Sequence, residues 1–211
     1  MDGPGESYAA QLLGFVGMRR VPSDQLELFS LRQFVTPVEC AGLIERIDAG
    51  RRPSTIADAN GDGYFRTSET CDLDHSDPLV ASLDFRLTWL SGIAGVFGEP
   101  LQGQRYEAGQ EFKAHTDYFD RDGVDYDRYC AVSGQRTWTF MIYLNDVSAG
   151  GGTRFPAINR TFQPERGMLL AWNTRLPDGA GNPATLHHGM IVRRGTKYVI
   201  TRWYRERAWP W

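Results

Sequence analysis

Apolar side chains in the first hundred residues recur with the period of a helix in two places. Cys40, Leu43, Ile44 and Ile47 fall on one helical face, and Gly50 is a natural stop. In front of them, Thr36-Pro37-Val38-Glu39 is a capping box with proline at the first helical position. A second stripe, Val80, Leu83, Leu87 and Leu90, predicts a helix that starts at Ser76, carries Pro78 in its first turn and ends near Gly92. From about residue 100 the period shortens to two. Residues 104–108, 111–117, 138–144, 167–172 and 197–205 are short runs divided by glycine, proline and aspartate, the pattern of β-strands. Two long connections, roughly 119–134 and 173–184, are of a length that compact domains keep for function or mobility. Helices followed by short strands predict one mainly β (α+β) domain over residues 1–211. It would pair a helical support region over 1–99 with a jelly roll over 100–211.

Composition narrows the function more than the fold. A chain of 211 residues has one domain's length and room for a full core. With 23 basic against 26 acidic residues the net charge is -3, which leaves no electrostatic footprint for nucleic acid. No basic tract suggests a membrane surface, and no apolar run approaches a transmembrane helix. Cys40, Cys71 and Cys130 are widely spaced, without a C-x-x-C pair, and suit reduced thiols better than a disulfide framework or a zinc ribbon. The N-terminus lacks the basic flank and apolar run of a signal peptide, so a cytoplasmic protein is expected.

The candidate chemistry starts at His115-Thr116-Asp117, at the end of a predicted strand. Residues i and i+2 of a strand point to the same face, so both side chains can enter one barrel interior. A histidine from a distant strand would complete two imidazoles and one carboxylate on one face of an octahedral metal, the arrangement of non-haem iron(II) oxygenases. The chain has four histidines, His75, His115, His187 and His188, so the choice is short. Taken alone, an H-x-D triplet is weak. Downstream, His187-His188 is followed by a turn and by Lys197 opening a strand. A co-substrate with a terminal carboxylate needs a cation deep in the barrel, and Lys197 can be that cation. Only Lys113 and Lys197 are lysines in a chain that otherwise uses arginine. A compact ammonium at this position is therefore a departure from the chain's habit.

These residues belong to a longer ordered set. Tyr106, Gly109, Phe112, His115 and Asp117 stand at the spacing Y-x-x-G-x-x-(Y/F)-x-x-H-x-D. Gly134-Gln135-Arg136, Gly150-Gly151-Gly152-Thr153-Arg154-Phe155-Pro156, Pro177-Asp178-Gly179, and Thr185-Leu186-His187 with Lys197 ten residues later follow in order. Residues 166–172 are a looser match to K-G-x-A-L-x-F, with Trp172 in the last place. Over roughly residues 65–207 the chain resembles the prolyl 4-hydroxylase branch of the iron(II)- and 2-oxoglutarate-dependent dioxygenases. The resemblance implies a double-stranded β-helix, cupin-like, and hydroxylation of an unactivated C–H bond with release of succinate and CO2. It implies iron(II), 2-oxoglutarate and O2 as cofactors, and ascorbate as reductant. By position, His115, Asp117 and His187 are the implied metal ligands. Lys197, Tyr106 and Thr153 are the implied 2-oxoglutarate residues, and Arg136, Arg205 and Tyr118 the candidate substrate contacts. The ten-residue spacing to Lys197 selects His187 over His188, and a ligating Asp117 argues for hydroxylation over halogenation.

Relatives often end in Trp-x-His, whereas this chain has Trp203-Tyr204-Arg205, so the substrate stays open. It is expected to be a prolyl residue in a peptide or protein, with a free amino acid or small natural product as the alternative. A non-catalytic metal-binding jelly roll is the third reading, which a carboxylate clamp at Lys197 speaks against. Asp58, Asn60, Asp62 and Glu69 also match a calcium-loop pattern. Gly50 and Pro53 break any entering helix, so a polar turn is the better reading.

Overall fold

The structure is a computed structural model that describes residues 6–54, 66–123 and 126–210. Its helices are α1 (Glu6–Leu13), α2 (Pro37–Gly50), α3 (Pro78–Ser91) and α4 (Tyr126–Cys130). Four short strands lie in the first part of the chain: β1 (Arg19–Arg20), β2 (Leu28–Leu31), β3 (Arg52–Pro53) and β4 (Glu69–Asp72). β5 (Gln102–Tyr106), β6 (Phe112–His115), β7 (Arg136–Tyr143), β8 (Ala149–Gly150) and β9 (Thr153–Phe155) follow. β10 (Arg160–Phe162), β11 (Leu169–Asn173), β12 (His187–Gly189), β13 (Val192–Arg194) and β14 (Lys197–Arg205) complete the order. No helix among the described residues is long and apolar enough to cross a membrane.

Local chemistry explains the helix ends. At α2 the Thr36 hydroxyl accepts from the Glu39 amide while the Glu39 carboxylate accepts from the Thr36 amide at 2.8 Å, the reciprocal pair the sequence predicts. α3 begins two residues later than expected, at Pro78. Asp77 takes the cap, accepting from the Leu79 and Val80 amides, whereas the Ser76 hydroxyl turns back to Asp74. Gly92 closes α3 in the left-handed conformation, donating its amide to the Thr88 carbonyl.

β1 to β4 show that the region expected to be helical support also supplies both edges of the main sheet. They are two to four residues long, too short for a period of two to be visible. The main antiparallel sheet runs β1-β2-β11-β7-β14-β5-β4-β3, and a second sheet runs β10-β9-β12-β6. Strict alternation gives β7 two faces. Trp138, Phe140 and Ile142 pack with the stripes of α2 and α3 in one cluster. Met141 and Tyr143 point the other way, into a cluster shared with Phe155 and Val192. The two sheets therefore face each other as the predicted jelly roll, with α1, α2 and α3 on the outer side of the larger one.

Candidate active site

β6 and β12 are antiparallel neighbours, and their register puts His115 directly opposite His187 with ring centroids 4.3 Å apart. Strand β6 ends at His115, so Asp117 lies just beyond the pleat, yet its carboxylate still turns inward and is buried. One oxygen of Asp117 is 3.9 Å from His115 Nε2 and the other is 3.9 Å from His187 Nε2. The ligating atoms of all three lie within 4.8 Å of one another, the one such cluster among the described residues.

Both imidazoles are oriented by backbone carbonyls. His115 Nδ1 lies 2.7 Å from the Lys113 carbonyl, and His187 Nδ1 lies 3.0 Å from the Thr185 carbonyl. A carbonyl only accepts, so each Nδ1 carries the proton and each Nε2 keeps a lone pair aimed at the centre. Burial, reinforced by the neighbouring His187, pushes His115 down to about 3, which keeps it neutral and able to ligate. Burial works against ionising Asp117, but His187, His115 and Arg136 with the Thr139 hydrogen bond hold it below its ordinary value. Thr139 donates to Asp117 Oδ2 at 2.7 Å and fixes that carboxylate. Two neutral imidazoles and one charged carboxylate are the donor set that a divalent iron needs. The site fits the ion.

The same cavity runs inward from the triad to Lys197. Lys197 opens β14 opposite Tyr106 and is 2% exposed. Its Nζ lies 5.1 Å from the Tyr106 ring and 5.5 Å from that of Tyr143, and no carboxylate among the described residues pairs with it. Burial pulls its pKa down to about 7. An ammonium in this setting lacks only an anion, and the distal carboxylate of 2-oxoglutarate has the chemistry to supply one. Hydroxyls gather around it. Tyr143 donates to Thr153 Oγ1 at 2.6 Å, leaving the Thr153 proton free to donate, and Tyr106 donates to Gln104.

Tyr143, Gln104, Thr201 and Thr139 had no place in the sequence reading. A signal existed, because Thr139 and Tyr143 share one face of a predicted strand that is otherwise almost wholly apolar.

At the outer end the candidate substrate residues are already engaged. Arg136 forms a two-pronged pair with Glu99 at 2.7 and 2.9 Å and lies 4.0 Å over the Trp203 ring. Arg205 is buried, donates to the same Glu99 at 2.6 Å and also to the carbonyls of Gly134 and Tyr129. Arg207 takes the carbonyls of Cys130, Ala131 and Val132. Together the two arginines grip five carbonyls of the 129–134 segment, tying the end of α4 and of the long loop to the C-terminal strand. Tyr118 packs on the second loop, where a side chain at Gly181 would overlap its ring. His188 points away from the triad to Glu111, 2.8 Å distant. Residues 58–63 of the calcium-like pattern lie outside the described residues, and Glu69 pairs with Arg105 and Arg51.

Arg205→Ala would leave the buried Gly134 carbonyl and the half-buried Tyr129 carbonyl without their side-chain donor, and would remove one of the two arginines on Glu99 Oε1, which Arg136 still holds. It is expected to cost about 2–4 kcal/mol of stability. Amide exchange should accelerate selectively over residues 126–134. Unchanged exchange there would show that Arg205 does not anchor the loop.

Residues 101–205 match the family described as the 2OG-Fe(II) oxygenase superfamily. "Probable prolyl 4-hydroxylase 3" of Arabidopsis thaliana is 33% identical over 200 residues, covering 83% of this chain and 68% of that protein. The chain belongs to the 2OG-Fe(II) oxygenase superfamily. It stands in the prolyl 4-hydroxylase-like branch, whose cofactors are iron(II) and 2-oxoglutarate. Prolyl 4-hydroxylase subunit alpha-1 of Mus musculus is 32% identical over 146 residues, 69% of this chain but 27% of that subunit. This oxygenase therefore spans about a quarter of the mouse subunit's length. The viral collagen prolyl hydroxylase of Paramecium Bursaria Chlorella virus-1, solved as a 2-oxoglutarate complex, superposes with a TM-score of 0.67 and 25% identity. That likeness covers 84% of this chain and 95% of the viral one, and identifies the jelly roll as the double-stranded β-helix of these oxygenases.

Proposed function

We propose that this oxygenase hydroxylates a prolyl residue in a peptide or protein, consuming O2 and 2-oxoglutarate and releasing succinate and CO2. The observation that carries the reading is one cavity with the three-residue metal cluster at one end and, at the other, a buried lysine that no carboxylate among the described residues pairs with. Bound iron with 2-oxoglutarate supplies the oxidising power that breaks a C–H bond and returns a hydroxyl. The chain supplies position and exclusion of water. His115, Asp117 and His187 hold the metal, and Lys197 with Tyr106 and Thr153 holds the distal carboxylate. Phe155 and Trp172 wall the His187 side of the cavity with apolar surface.

A peptide substrate is supported by the printed names of the relatives, which are prolyl 4-hydroxylases and a collagen prolyl hydroxylase. A separate groove lies between the 173–182 loop and the turn after β1, and includes Thr137 and Arg205 at the ends of β7 and β14. Ascorbate as reductant and a cytoplasmic setting belong to the same reading; the three buried free thiols support the latter.

The test is succinate release by the iron(II)-loaded protein with 2-oxoglutarate and O2, comparing proline-rich peptides with free proline. Peptide-dependent succinate, with one oxygen atom added to a prolyl residue by mass spectrometry, is expected. Succinate coupled to a free amino acid alone would overturn the peptide assignment.

A further inference from the structure

Across three strands of the main sheet, Trp172, Thr139 and Trp203 form one transverse row, since Thr139 is the register partner of both tryptophans. All three side chains line the cavity. The Thr139 hydroxyl is taken up by Asp117. The two indole N–H groups are buried and have no acceptor among the described residues. An indole nitrogen can only donate, and a buried donor without an acceptor is rare enough in folded proteins to need an explanation.

The two donors have different surroundings. Trp203 lies beneath Arg136, whose guanidinium is 4.0 Å from the ring centroid. Trp172 has no such neighbour. It is 1% exposed, edge-on to His187 with centroids 5.0 Å apart, and packed against Phe155 at 5.3 Å. It is also remote from the lysine end, because Lys197 lies six residues along β14 from Trp203, its row-mate. An acceptor that reaches Trp172 must sit deep in the cavity at the metal end. Of the species the site takes, the one that puts an anionic oxygen there is 2-oxoglutarate, whose keto-acid end chelates the metal. Charged acceptors also make the stronger hydrogen bonds.

We propose that the Trp172 indole N–H donates a hydrogen bond to the metal-proximal carboxylate of 2-oxoglutarate, making Trp172 a second anchor opposite Lys197. The inference rests on the site taking iron(II) and 2-oxoglutarate. Trp172→Phe removes the donor while keeping an aromatic ring at this position.

The test is an anaerobic titration of the iron(II) protein with 2-oxoglutarate, followed by its visible charge-transfer band, in wild type and Trp172→Phe. The variant is expected to bind 2-oxoglutarate about 10-fold more weakly, with a displaced band and unchanged iron affinity in the absence of 2-oxoglutarate. Should the variant fold poorly, the indole 15N–1H resonance of Trp172 in the zinc-loaded wild type gives the same answer. It should move downfield on adding 2-oxoglutarate. A variant that titrates like wild type, with an unmoved indole resonance, would overturn the proposal. So would a weakened substrate KM with 2-oxoglutarate affinity intact, which would assign the donor to the substrate instead. A wild-type protein that gives no band at all would overturn the cofactor reading and this inference together.

Discussion

Asp117→Ala is expected to lower iron(II) affinity at least about 100-fold and to abolish the charge-transfer band that 2-oxoglutarate would otherwise produce. Asp117 is the only anion of the triad, and its two oxygens bridge the two histidines at 3.9 Å each. The carboxylate is 5% exposed, so salt does little to screen its attraction for a divalent ion. Alanine removes both the charge and the acceptor of Thr139, leaving two neutral imidazoles as the whole donor set. Second-sphere changes at metal sites already cost 10- to about 100-fold, and loss of a charged ligand exceeds them. Calorimetry with iron(II) or zinc(II), alongside the anaerobic spectrum, measures the effect. Near-native metal affinity in a folded Asp117→Ala protein would mean that the metal sits elsewhere.

Lys197→Met is expected to weaken 2-oxoglutarate at least about 100-fold with iron binding intact, because it deletes one partner of a desolvated charge pair while keeping the volume. The pH dependence follows from burial, which holds the free ammonium at about 7 against roughly 10.4 in an unfolded chain. Below 7 the lysine is charged both folded and unfolded, and the unliganded protein carries the full cost of burying it. Between 7 and about 10 the unfolded chain binds the extra proton, so stability of the unliganded protein rises with pH.

Ligand binding runs the other way. A carboxylate beside Nζ raises the lysine pKa in the complex, so binding above pH 7 takes up close to one proton. Affinity should then fall up to about tenfold per pH unit. Tyr106 and Tyr143 are the ring neighbours of Nζ, and burial raises the Tyr143 pKa further, leaving it a neutral donor. Calorimetry in buffers of different ionisation enthalpy counts the proton. A pH-independent affinity with no proton uptake would show that Lys197 does not hold the carboxylate. The variant offers a second check, since Lys197→Met should be at least as stable as wild type without ligand, yet gain no thermal stability from 2-oxoglutarate.

The elements that were legible are those whose signal is local. The capping box of α2 and the apolar stripes of α2 and α3 are readable within one or two turns. The long strands β7 and β14 are readable because eight and nine residues rich in β-branched and aromatic side chains carry the strand signal. α1 escaped because a helix of eight residues contributes chiefly Leu12 to the core. β9 and β12 escaped because three residues cannot show alternation.

The metal triad was readable as residue types and spacing, and Lys197 as an unusual lysine. Tyr106 and Thr153 came with the resemblance, whereas Tyr143, Gln104 and Thr201 were not readable as cavity neighbours of Lys197, since they reach it from separate parts of the sheet. Arg205 shows the limit most clearly. In sequence it is a substituted histidine and a candidate for substrate; in the fold it faces Glu99, 106 positions away, and the carbonyls of a loop more than 70 positions away.

The sequence by itself determined the donor set, the reaction class that such a set serves, and the helices and long strands that frame it. Only the tertiary structure decided that His115 faces His187 across a strand pair, and that, among the described residues, buried Lys197 has no counter-ion and two indole N–H groups have no acceptors. The physical reason is one of range. Periodicity and capping act over a few residues, whereas register, burial and an unsatisfied donor are set by strands that meet from distant parts of the chain.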